Sequence, residues 1–147
     1  MKKWPDFPEV RYKLGLIAVT KHDYAAVVEH MKAELAHNPA HTLAWHYLGE
    51  ALAKLEKPDD AASALQRAIW LNALSVRSYI TLGQVYSEQG KFALAESSLN
   101  HALTIEPQNY QANYLLGRLY SRTNRPELAK QRMAIAEKLR KPTPDTK

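Results

Sequence analysis

Gly15, Gly49, Gly83 and Gly117 stand 34 residues apart in three successive steps. They are four of the five glycines in a chain of 147 residues. Glycine inside a helix is worse than alanine by roughly 1 kcal/mol, so a regular recurrence needs a packing reason. A fixed spacing of this size marks a chain built from units, each burying its apolar face against the next. Hydrophobic residues make up 46% of the chain. That is enough to supply such faces and too much for a disordered segment.

The spacing divides the chain into residues 8–41, 42–75, 76–109 and 110–143. Each unit carries two apolar stripes at helical spacing. In the third unit Tyr79, Leu82, Gly83 and Tyr86 form the first stripe, and Phe92, Ala95, Leu99 and Ala102 the second. Short breaks separate the stripes at Lys21-His22-Asp23, Glu56-Lys57, Gln89-Gly90-Lys91 and Asn124-Arg125. Pro58 and Pro126 follow two of the breaks, where a first-turn proline loses no needed hydrogen bond. Asp59, Asp60 and Glu127 then place negative charge at the positive end of a helix dipole. Pro39 and Pro107 end the second helix of their units. Ser75 and Asn109 are suited to cap the helices that follow.

The small residues share one expected task. Gly49, Gly83 and Gly117 fall in phase with Ala61, Ala95 and Ala129, so the two helix backbones of a unit can approach closely. A large residue there would overpack the contact by typically about 1–3 kcal/mol. Trp45, Tyr79, Tyr86 and Leu99 are expected to fill the space between neighbouring hairpins, and Trp4 and Trp70 to act as packing groups.

The second unit runs Trp45-x-x-Leu48-Gly49-x-x-Leu52, then Ala61-x-x-x-Leu65 and Ala68; the third ends on Pro107. This pattern resembles the tetratricopeptide repeat, with its W-x2-L-G-x2-Y…A-x3-F…P signature and 34-residue period. The resemblance covers about 136 of the 147 residues. It implies an all-α fold, an α-α superhelix (solenoid) of antiparallel helix hairpins forming a single domain over 1–147, with a concave groove. Several positions depart from the pattern. Asn113 replaces an aromatic, Ala73 and Lys141 replace the closing proline, and Val27 replaces a small residue. These are expected to weaken individual units, the first above all. Two readings of the last helix stay open: it caps itself, or the natural chain continues with more sequence; as a fragment, the chain would be the C-terminal part of a longer bacterial repeat protein.

In this family ligands are usually held by the concave face, built from the first helix of each unit. By alignment that face would show Glu9, Tyr12, Leu16 and Val19, then Leu43, His46, Tyr47, Glu50 and Lys54. Arg77, Ile80, Gln84 and Glu88 would follow, and then Gln111, Tyr114, Arg118 and Arg122. Tyrosine and arginine are common interface anchors, and the arginines suit bidentate pairing with carboxylates. The expected partner is therefore a protein or peptide with an acidic group near the fourth unit. At the positions where related repeats clamp chaperone C-termini, Arg77 alone would serve, so a chaperone-tail clamp is not expected.

Charge is unevenly placed along the chain. Residues 118–147 hold nine basic against three acidic residues, whereas residues 1–117 hold eleven against twelve. The basic end reads first as a solvated last helix and second as an attractor of acidic peptides or nucleic acid. The absence of cysteine removes disulfides, thiolate metal sites and a cysteine nucleophile. His37 and His41 are split by Pro39, and no phosphate loop or hydrolase motif occurs. No cofactor, no metal and no enzymatic role are expected. No apolar run approaches the roughly 18 residues of a membrane helix. The expected setting is the cytoplasm, with the periplasm open for a fragment. A protein-binding scaffold leads, nucleic-acid binding through the basic end is the alternative, and self-association by end-to-end stacking, or service as an accessory segment, is the third reading.

Overall fold

A computed structural model of the chain describes residues 9–140. Trp4, Lys141 and the outermost positions of the first and fourth repeats lie outside the described residues. Among those described, the structure is eight α-helices and no strand. They gather into two compact units, one ending at Ala73 and one beginning at Leu74. The first holds α1 (Val10–Thr20), α2 (Tyr24–His37), α3 (Thr42–Lys54) and α4 (Pro58–Leu71). The second holds α5 (Val76–Glu88), α6 (Phe92–Ile105), α7 (Tyr110–Arg122) and α8 (Pro126–Arg140). Within each unit successive helices pair as hairpins, α1 with α2, α3 with α4, α5 with α6 and α7 with α8. The middle helices, α2 with α3 and α6 with α7, join one hairpin to the next.

The helix ends follow from local chemistry. Pro58 opens α4, with Asp59 and Asp60 in its first turn, and Glu127 lies in the first turn of α8. Asn109 caps α7 by accepting from the Ala112 N–H at 2.9 Å, and Asp23 caps α2 through Ala26 at 3.2 Å. Ser75 stands at the N-cap of α5 but makes no side-chain cap bond. Its hydroxyl is 2.8 Å from the Ser78 hydroxyl instead. The second helices of the first and third repeats stop at His37 and Ile105, two residues before Pro39 and Pro107.

Each hairpin turn is closed in the same way. The Asp23, Lys57, Lys91 and Arg125 N–H groups donate back to Ala18, Leu52, Tyr86 and Tyr120 carbonyls, at 2.8–3.0 Å. This six-residue closure requires a left-handed residue just before the donor. His22, Glu56, Gly90 and Asn124 occupy that position, with φ of 55°, 59°, 76° and 59°. The fifth glycine of the chain thus has its own reason, backbone conformation rather than packing.

The period glycines make room for a different neighbour from the one expected. A Cβ at Gly83 would lie 2.7 Å from Leu99 Cγ, and one at Gly49 would lie 2.6 Å from Leu65 Cγ. The Ala61 and Ala95 carbonyl oxygens are the next obstacles, at 3.2 and 3.4 Å. At Gly15 and Gly117 the neighbours are Met31 and Met133. Each glycine therefore receives the large side chain four residues beyond the small one, because residues four apart share a helix face. Leu99 accordingly fills its own hairpin, not the space between hairpins. Tyr79 also serves its own hairpin, its ring stacked on His101 at 5.3 Å. Trp45 reaches back across the preceding turn, its indole N–H donating to the Pro39 carbonyl at 2.8 Å. Trp70 departs from expectation outright: it is 80% exposed and packs no core, because its position on α4 points away from both stripes.

Asn113 is fully buried on α7. Its amide nitrogen donates to the Asn109 and Pro107 carbonyls at 2.9 and 3.2 Å, and its oxygen accepts from Arg132 at 3.1 Å. The polar replacement of an aromatic is thus fully satisfied, and the weakness expected at this position does not follow.

Candidate functional site

The predicted groove residues divide between the two units. In the first, Tyr12 from α1 and Tyr47 from α3 come together, ring centroids 6.3 Å apart. His41, from the turn before α3, packs on Tyr12 at 4.3 Å and pairs with Glu34 at 3.0 Å. Leu16 is half-buried beside this group and Leu43 is exposed. His46 is 1% exposed. It lies within the packing of α3, which is gripped by both α2 and α4, so it does not present a binding surface as the alignment implies. Its Nε2 is 3.2 Å from a Glu50 carboxylate oxygen, and its ring meets Tyr47 at 5.4 Å. Glu50 and His46 together brace the Tyr47 side of α3.

In the second unit Gln84, Arg118 and Arg122 line one cavity of about 90 Å³ between α5 and α7. Gly83, Ser87, Glu88, Leu99 and Leu115 complete its wall. Gln84 leans on Glu88 at 3.4 Å. Arg122 is held from two sides: one Nη donates to the Ser87 carbonyl and hydroxyl at 3.3 and 3.2 Å, and its guanidinium lies 5.0 Å over the Phe92 ring. Arg118 sits over Tyr114 at 5.9 Å and makes no ion pair among the described residues. Tyr114 in turn stacks on Tyr110, 5.9 Å apart and within 14° of parallel. Of the other predicted members in this unit, Glu88 lines the cavity, whereas Arg77, Ile80, Gln111 and Tyr114 do not. Arg77 is exposed in the first turn of α5, and Ile80 is buried at 4% exposure, as the gain from covering an isoleucine dictates. Ser87 and Phe92 went unpredicted as supports of Arg122, since a contact spanning 35 residues leaves no local signal.

Beside the cavity, charge is tied down internally. Arg125 grips both Glu96 oxygens, at 2.7 and 3.2 Å, and Tyr120 donates to the same carboxylate at 3.2 Å. The Arg125 hydrogen bonds hold the Glu96 carboxyl below the usual carboxylate range, against its partial burial. Burial first, and then the Glu96 charge, push the Tyr120 phenol up. A wider groove in the first unit, of about 370 Å³, is floored by Trp45, Leu48 and Leu52 between α2 and α4. Among the described residues, no helix is long and apolar enough to cross a membrane, and no group of three or more His, Asp or Glu side chains is placed to hold a metal.

Comparison with known proteins agrees with the repeat spacing. Two family models, each described as a tetratricopeptide repeat, match residues 12–74 and 86–144. The peroxisomal targeting signal receptor of Saccharomyces cerevisiae is 31% identical over 98 residues, 67% of this chain and 16% of the receptor. The chain thus spans about a sixth of that relative. The crystal structure of MamA superposes with a TM-score of 0.87 at 25% identity, covering 92% of this chain and 79% of MamA. YrrB, described as a TPR protein with an unusual peptide-binding site, gives a TM-score of 0.78 at 25% identity, over 92% of this chain and 69% of YrrB. With the 34-residue period, the glycine-to-leucine contacts and these matches in agreement, the chain belongs to the tetratricopeptide repeat family.

Proposed function

We propose that this chain is a non-catalytic module that binds a peptide or the surface of a partner protein, and that the acidic part of that ligand meets the cavity between α5 and α7. The carrying observation is Arg118. It is an exposed guanidinium with no ion pair among the described residues, on the lip of a cavity that a second arginine, Arg122, also lines. A carboxylate placed there meets two forks of donors. Tyr12 and Tyr47 supply a separate aromatic anchor in the first unit. The known relatives point the same way, since one is a receptor for a targeting signal and another has a peptide-binding site.

The test starts from a displayed library of random peptides selected against the chain. A selected peptide is then titrated by fluorescence polarisation. Arg118→Ala and Tyr47→Ala should each weaken binding about tenfold or more, the scale of an interface hot spot, with helical circular dichroism unchanged. Binding that ignores both substitutions would show that the ligand sits elsewhere.

A further inference from the structure

Resting on that reading of the α5–α7 cavity, the geometry points to a ligand motif: we infer that the bound segment is extended and carries one carboxylate four positions from an aromatic residue or proline. Tyr110, Tyr114, Arg118 and Arg122 follow one another at four-residue steps along α7. The first two rings are stacked, the third member lies over the second ring, and the fourth is pinned by Ser87 and Phe92. The row is therefore two flat rings followed by two guanidiniums. Helical rise sets the distance. The middle of the tyrosine pair and the middle of the arginine pair are eight residues apart, about 12 Å at 1.5 Å per residue.

An extended chain advances about 3.3 Å per residue and returns a side chain to the same face every second residue. Two positions span about 6.6 Å, which is too short, and four span about 13 Å, which fits the row. A helical ligand would cover only about 6 Å in four residues and would need positions eight apart to span the row, so the four-position spacing belongs to an extended chain. Tyr110, 38% exposed, and the half-buried Tyr114 leave part of their rings open to an aromatic or proline ring. The charge selects a carboxylate over a phosphate. Glu88 also lines the cavity, so two guanidiniums and one carboxylate leave a single positive charge. That balance matches a monoanion and is overfilled by a dianionic phosphate.

The test uses synthetic nine-residue serine–alanine peptides bearing one phenylalanine and one glutamate, in both chain directions, titrated by fluorescence polarisation. One direction of the four-position peptide should bind at least tenfold tighter than its two-position counterpart and than its glutamine version. Tyr114→Ala should erase the advantage of phenylalanine over alanine while leaving that of glutamate over glutamine. Arg118→Ala should do the reverse. Equal affinity at both spacings, tighter binding of a phosphoserine version, or no measurable binding of the four-position peptide at millimolar concentration would overturn the motif. Such a result is distinct from failure of the site itself, in which library-selected peptides bind but disregard Arg118→Ala.

Discussion

At the scale of single residues, the period glycines are graded by what they face. A Cβ at Gly83 would lie only 2.7 Å from the branched Leu99, whereas one at Gly117 would lie 3.0 Å from the unbranched Met133. Leucine has few ways to retreat and methionine has several. Gly83→Ala should therefore lower stability by about 1–3 kcal/mol through overpacking, read as a drop of several degrees in the thermal midpoint. Gly117→Ala should lose clearly less, since higher helix propensity offsets part of the strain. An equal loss at both sites would mean that the side chain facing the glycine does not set the cost. The recurrence of these glycines was legible in the sequence, but the identity of their neighbour was not. Phase along a helix is read from spacing, whereas the direction of approach of the second helix is set by tertiary packing. His46 and Ile80 illustrate the same limit, since each has the phase of a groove residue yet is covered in the folded chain. Asn113 is the converse case, a polar residue at a core position whose partners come from a turn and from α8.

At the scale of elements, the four hairpin turns share one backbone form but not one residue type. His22, Glu56, Gly90 and Asn124 recur at the 34-residue period with positive φ. The sequence marks all four as breaks between stripes, yet only glycine announces the conformation. A left-handed residue with a Cβ is disfavoured by roughly 1–2 kcal/mol, with asparagine the best tolerated. Glu56→Gly should therefore stabilise the chain by up to about 1 kcal/mol, the relief being reduced by glycine's greater freedom when unfolded. Asn124→Gly should change stability by only a few tenths. Urea denaturation of the two variants measures the difference, and a destabilised Glu56→Gly would show that the glutamate side chain contributes more than its backbone strain. The helix α8 shows how far repetition constrains an element. Position by position, it carries exposed Glu137 where α2 and α6 carry buried Leu35 and Leu103, and exposed Lys130 where α2 carries half-buried Val28. Its outer face is thus more polar than the faces of the helices that dock onto a following hairpin.

At the scale of the whole molecule, net charge alone does not choose a partner. The positive excess lies in residues 118–147, which invites a reading as a nucleic-acid surface. Side-chain geometry subtracts from that surface. Arg125 is committed to Glu96 and Arg132 to Asn113, and Arg122 gives one Nη to Ser87 while the other stays open to a ligand. Among the described residues from 118 onward, the basic groups without such ties are Arg118, Lys130, Lys138 and Arg140. They do not form a continuous ladder, because Arg118 lies on α7 and the other three on α8. Phosphate binding by counterion release gives a slope of log affinity against log salt of about −0.7 for each phosphate neutralised on a single strand. A stripe using all of Arg118, Arg122, Arg125, Lys130, Arg132 and Arg140 would approach a slope of about −4. Two or three scattered contacts give about −2 or less. Titration of an oligothymidine across 50–200 mM salt should return the shallow slope, and the oligonucleotide should not displace a library-selected acidic peptide. A steep slope together with displacement would mean that the internal ion pairs open to meet phosphate, and that the basic end, rather than the α5–α7 cavity, is the surface this chain uses.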